Sequence, residues 1–253
     1  MARSREPVTK AAAIEKIGEQ KRSDQKRAHI TDQVIKQLRY GLMTGSFIPG
    51  QVMGLRALAT AFGTSSMPIR SGLSQLVAAN VLEELPSGSV RVPRLSDSKL
   101  KELFEVREVV ENMAAKAALR NADANLLKRL TAINKRLLAA IEQRDALGCL
   151  SINQEFHFTL YKAAKSDVLM PLIESLWLLS GPTMYVSFMA PNSPWDASEH
   201  KEIIDGLRAG DAAAVQRALS RDIRTTVRHL LAASGSNGPL KSQIGIAVDR
   251  HFR

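Results

Sequence analysis

The sequence has little of several things, and each shortage excludes a class. Of 253 residues only Cys149 is a cysteine. One thiol rules out a disulfide within the chain and any thiolate metal cluster. No apolar run reaches the roughly 18 residues that a spanning helix needs, so no membrane segment is expected. Residues 1–28 lack the apolar stretch of a signal peptide, which makes a cytoplasmic protein the expectation. Aromatic residues are only 5%, which argues against a nucleic-acid surface built on base stacking.

What is present is a chain able to fold and unevenly charged. Hydrophobic residues make up 45%, enough for a real core, and the formal net charge is +10. Residues 1–94 hold 14 Lys and Arg against 7 Asp and Glu, while residues 95–253 hold 21 against 18. The excess therefore sits in the first third, which suits a polyanionic partner there.

Hydrophobic spacing divides the chain. Residues 1–28 are polar and basic and read as a flexible arm. In 29–45, Ile30, Val34, Leu38 and Leu42 recur at helical spacing, with Thr31 as a candidate cap. A short helix over 55–62 follows, broken by Gly63. The segment 64–85 reads as a second helix, capped within Thr64 to Ser66, with Pro68 in its first turn and Ile69, Leu73, Leu76 and Val77 on its apolar face. The stretch 86-PSGSVRVP-93 reads as a tight turn and short strand. The expected fold of 29–94 is a winged helix-turn-helix. Residues 98–232 are expected to be an all-helical bundle with helices near 98–119, 123–141, 145–164, 168–189, 196–208 and 211–232. Asp123, Asp145 and Asp211 are candidate caps, and Gly181-Pro182 is expected to kink or interrupt the fourth helix. Residues 233–253 form a tail. The fold class is mostly α, a winged helix-turn-helix joined to an all-helical bundle.

In a helix-turn-helix the second helix enters the major groove. Ser65, Ser66 and Ser71 can bond phosphates or base edges, and Arg70 can fork onto phosphate or guanine. Arg56 reaches the same face, Gly88 forms the wing tip and Arg91 flanks it. The competing reading makes both Arg56 and Arg70 merely solvated charges.

These residues carry a resemblance. The string 48-IPGQVMGLRALATAFGTSSMPIRSGLSQLVAANVLEELPSGSVRV-92 resembles the winged helix of GntR-family transcriptional regulators. It matches that family at Pro49-Gly50, Leu58-Ala59, 63-GTSSMPIR-70 and Gly88. It departs where the family has an arginine (here Ser66) and a glutamate (here Ser71). The strings 107-REVVE-111, 153-NQEFH-157 and 200-HKEIIDGLRAGD-211 resemble the FadR-type subgroup with its all-helical FCD domain. The resemblance implies a DNA-binding regulator, most simply a repressor. It would act as a homodimer on a double-stranded operator with near-palindromic half-sites, and a small carboxylate effector would modulate it.

It also implies a metal set. Many such domains bind a divalent ion with an Asp and a His four apart and two later His; the corresponding positions here are Asn153, His157, His200 and Asp222. Two imidazoles and one carboxylate suit Zn²⁺, Mn²⁺ or Ni²⁺. A metal-free polar pocket, or histidines satisfied singly in the core, are the alternatives. Arg107, with His157 and His200, is expected to bind the effector carboxylate, or else to pair with Glu111. Tyr185 and Trp195 are candidate pocket or core residues. A metal-dependent hydrolase is the rival from another class, but Glu155, the nearest acid on the same helix, should point away, so no enzyme is expected. A constitutive DNA-binding protein with a vestigial pocket is the remaining alternative.

Overall fold

The computed structural model describes residues 10–189 and 196–235. The loop residues through Trp195, the first nine residues and the tail beyond Gly235 lie outside them. The first helix, α1, runs from Lys10 to Met43. The backbone is thus helical through most of the expected arm, where 10-KAAAIEK-16 is rich in helix formers. Thr31 consequently sits inside the helix and caps nothing; its hydroxyl bonds back to the Arg27 carbonyl at 2.9 Å. Helices α2 (Leu55–Ala61) and α3 (Ser66–Ala78) follow, then strands β1 (Glu83–Glu84) and β2 (Val90–Arg91). Helix α3 ends seven residues before the expected boundary. Asn80 turns the chain at φ 56°, and Glu83 and Glu84 leave the helix to pair with Arg91 and Val90. A bridge from Val52 to Arg91 widens the hairpin. Val34, Leu38 and Leu42 of α1 close over Ile69, Leu73 and Leu76 of α3.

The helical domain comprises α4 (Asp97–Leu119), α5 (Ala124–Glu142), α6 (Ala146–Lys162), α7 (Leu169–Met189), α8 (Ser198–Ala209) and α9 (Ala212–Gly235). Side-chain caps start several of them. Ser96 accepts from the Lys99 amide, Asp123 from Leu126, Asp145 from Gly148 and Asp211 from Ala214. Each satisfies an orphan amide of the first turn. Helix α7 is not interrupted at Pro182 but continues to Met189.

The two domains meet where α1 lies on α7. A methyl group on Gly181 would fall 2.4 Å from the Leu42 carbonyl oxygen and 2.6 Å from the Met43 Cα, so only glycine permits this approach. Arg39 pairs with Glu174 at 2.8 Å, and Tyr40 hydrogen-bonds Ser151. Gly181→Ala is therefore expected to push the helices apart and destabilise the protein by about 1–3 kcal/mol, the usual cost of overpacking. Urea denaturation measures this, and an unchanged midpoint would show that the seam yields freely.

Candidate metal centre and DNA-reading face

Asn153, His157 and Tyr161 fall four residues apart on α6 and share one inward face. His200 comes from the first turn of α8 and Asp222 from α9. His157 Nε2 lies 3.2 Å from His200 Nε2 and 3.3 Å from Asp222 Oδ2, and the three ligand atoms all lie within 4.8 Å of one another. Ligands held about 2.1 Å from a tetrahedral ion are roughly 3.4 Å apart, so the two shorter separations fit a shared ion. Asn153, His157, His200, Asp222 and Arg107 line one cavity of about 50 Å³, space for an ion with a few water-sized groups beside it.

The tautomers follow from the surroundings. The Tyr161 hydroxyl gives its one proton to Glu111 at 2.5 Å. Burial first, and then Glu111, raise its pKa well above the usual phenol value, so it stays a donor. Its oxygen, 3.1 Å from His157 Nδ1, must accept from that ring nitrogen. The Nε2 lone pair of His157 is thereby aimed at the centre. Burial pushes the His200 imidazole down to about 3; neighbouring His157 adds to this and Asp222 opposes it. His200 is thus neutral. Burial would raise the Asp222 carboxyl, but any proton taken up by His157, which would bond to it, or by His200, together with the charge of Arg107, holds it below its ordinary value. With His157 Nε2 bare and Asp222 ionised, at least one imidazole lone pair lies beside a carboxylate, an arrangement that a cation satisfies. His200 is oriented by stacking on Phe156, 3.9 Å between ring centres and 3° from parallel; its Nδ1 is buried without a hydrogen bond.

Arg107 pairs with Glu111, one of its two expected roles, at the edge of the same cavity. It lines the cavity, yet its Nε bonds Glu111 at 2.7 Å, and its guanidinium lies 4.8 Å from the Phe104 ring and 4.7 Å from Trp177. Glu155 points away, as expected, and pairs with Arg136 at the surface. Tyr185 packs against the core. Burial first, then Asp145, push the Cys149 thiol up to about 11, which leaves it a poor nucleophile. Sequence reasoning missed Tyr161 and Trp177, although the step of four from Asn153 through His157 continues to Tyr161.

In the first domain, Ser65 is the N-cap residue of α3 but its side chain makes no capping bond. Ser65, Arg70 and Ser71 are exposed and Ser66 is half-buried. Arg56 stands exposed on α2. Gly88 turns the hairpin at φ 78° with open space around it. Arg91 is tied across the hairpin to Glu83 at 2.6 Å. The outward face of α3 also includes Met67 and Ser74, which a step of three or four from Arg70 would have found.

Two regions of the chain match known protein families. Residues 30–92 match the model described as bacterial regulatory proteins, gntR family, and residues 102–225 match the FCD domain. The chain is 28% identical over 206 residues to the HTH-type transcriptional regulator McbR of Escherichia coli K12, spanning 80% of this chain and 93% of McbR. It is 25% identical over 190 residues to a probable D-xylose utilization operon transcriptional repressor of Paenarthrobacter nicotinovorans, spanning 74% and 81%. The solved structure of E. coli McbR superposes with a TM-score of 0.75 at 25% identity, covering 81% of this chain and 98% of that one.

The Arg107–Glu111 pair yields a prediction. Their side chains are 4% and 0% exposed. Glu111→Ala should cost about 3–5 kcal/mol because it strands a buried guanidinium. Removing both charges with Arg107→Met and Glu111→Leu should cost less than the single change. Chemical denaturation of the three variants checks this ordering.

Proposed function

The chain belongs to the GntR family of bacterial regulatory proteins, with an FCD domain behind its winged helix, and is a transcriptional regulator; from that premise we propose a dimeric repressor whose operator binding is set by a small organic acid held at a divalent ion. The observation that carries this reading is the convergence of His157, His200 and Asp222 in the domain joined to the reading helix. His157 and His200 would each give Nε2 and Asp222 a carboxylate oxygen, with Asn153 a weak fourth ligand. A mixed nitrogen and oxygen set suits Zn²⁺, Mn²⁺ or Ni²⁺. When bound, the ion supplies positive charge and open coordination positions to an anionic effector. That charge is needed, because Glu111 already neutralises Arg107 and Asp196, Glu199 and Asp222 also line the cavity. Regulation then works by linkage: a ligand that favours one placement of the DNA domains lowers operator affinity by the factor that DNA imposes on ligand. The naming of the xylose-operon relative as a repressor supports that sign. Because the operator lies on the bacterial chromosome, the protein would work in the cytoplasm.

The homodimer has its own support. Val106, Val109 and Met113 are 44%, 63% and 55% exposed, and their spacing of three and four makes one apolar stripe on α4. Exposed Glu102 and Glu105 flank its N-terminal end, and exposed Lys116 and Arg120 its C-terminal end. An antiparallel second copy sets acids against bases, whereas a parallel one sets like against like. Such a two-fold places two reading helices on two half-sites.

Two experiments test the proposal. Elemental analysis of protein purified without chelator or a nickel column should find about one divalent ion per chain, and Asp222→Ala should lose it with the only anionic ligand. Organic acids should then raise the melting temperature of metal-loaded protein and weaken its hold on operator DNA. Metal content near zero after reconstitution would remove the ion from the proposal, and indifference to every acid would favour the vestigial pocket. Separately, Val109→Asp should convert the dimer to a monomer at micromolar concentration in light scattering; an unchanged dimer would move the interface elsewhere.

A further inference from the structure

The outward face of α3 is a strip of Met67, Arg70, Ser71 and Ser74, spaced three, four and seven residues from the first. Three of the four are polar. Met67 is the exception: it is 71% exposed, in the first turn of the helix and away from the core formed by Ile69, Leu73 and Leu76. Its thioether has no charge and no strong donor or acceptor, so it gains nothing from a phosphate. The edges of base pairs in the major groove present donors, acceptors and a single kind of apolar group, the C5-methyl of thymine. We propose that Met67 is a specificity-determining residue that packs on a thymine methyl in each operator half-site.

The placement narrows the claim. Three residues of helix rise about 4.5 Å, between one and two base-pair steps of about 3.4 Å. The thymine therefore lies within about two base pairs of the position that Arg70 contacts. A polar side chain here would read a donor or acceptor pattern; methionine reads a methyl group and tolerates small shifts of the helix through its flexible chain.

This inference rests on the reading of α3 as the operator-binding helix, and the experiment separates the two. Full-length protein selects duplexes from a randomised pool, and each thymine of the enriched half-site is then replaced singly by uracil, which deletes only the methyl group. One replacement should weaken binding of the unaltered protein by about fourfold, the worth of one buried methyl group. Met67→Ala should bind thymine and uracil duplexes equally at that position, and Met67→Leu should keep most of the preference. An unchanged melting temperature checks that both variants fold, as the exposure of the side chain leads one to expect. An enriched motif with no uracil effect, or one that persists in Met67→Ala, overturns the assignment of Met67 alone. A pool from which no sequence is enriched overturns the operator reading and this proposal with it.

Discussion

Two opposite charges, Arg107 and Glu111, lie one turn apart on α4 and both are withdrawn from water. Burying them is costly, and the cost is offset only by close pairing and by further hydrogen bonds. The structure supplies both. Glu111 takes two contacts from Arg107 and a third from the Tyr161 hydroxyl, while the guanidinium face is covered by Phe104 and Trp177. The consequence passes along the chain of bonds. A Tyr161 hydroxyl committed to Glu111 can only accept from His157, and this fixes which nitrogen of His157 faces the cavity. The pair thus decides the donor pattern of a site to which its own carboxylate does not belong. It also spends the positive charge of Arg107, so the cavity offers an incoming anion no uncompensated arginine.

Helix α7 ties that site to the rest of the molecule. One part of it presents Trp177 and Met184 to the cavity, and between them Gly181 lets its backbone touch α1. Helix α1 in turn covers α3 with Val34, Leu38 and Leu42. From cavity wall to reading helix there are two helices in direct contact. Arg39 with Glu174, and Tyr40 with Ser151, add polar links on the same seam. Close backbone packing of this kind does not deform continuously, so a change in the position of α7 must be answered by α1.

Much of this was legible in the sequence where a local rule acts alone. Several helices of the second domain begin at acidic or hydroxyl caps because an orphan amide needs an acceptor within three residues, and Asp123, Asp145 and Asp211 announce three of those starts. The grouping of Asn153, His157, His200 and Asp222 in one cavity came from resemblance, since two turns of one helix and two later helices have no local reason to converge. Three features were not legible. Thr31 looked like a cap because the polar segment before it hid a helix with weak apolar patterning. Pro182 was read as a kink or an interruption, and α7 is not interrupted but carries it among neighbours that bury Ser180, Gly181 and Thr183 around it. Arg91 was read as flanking the wing tip with no partner foreseen, because Glu83 becomes its neighbour only when α3 stops early and the hairpin closes.

The position of the carboxylate in the ligand set has a physical rationale. Resemblance places an acid at 153 and a histidine at 222; this chain has Asn153 and Asp222. Asn153 is 5% exposed, deep on α6, whereas the Asp222 side chain is 25% exposed on α9. An ionised group loses far more hydration than an amide does on burial. Moving the charge from the deeper position to the shallower one keeps a single anionic ligand while lowering its desolvation cost. It also leaves the innermost wall of the cavity neutral, formed by an amide, two uncharged imidazole edges and the already paired Arg107. Asp196 and Glu199 line the same cavity and, like Asp222, are more exposed than the two histidines, so its negative charge lies on the more solvated side. Under the proposed function a cation would be drawn to that negative lining before it meets the nitrogen ligands, and an organic anion would be repelled until the cation is in place. On that proposal the order of binding, ion first and acid second, would follow from where the chain puts its one ligand carboxylate.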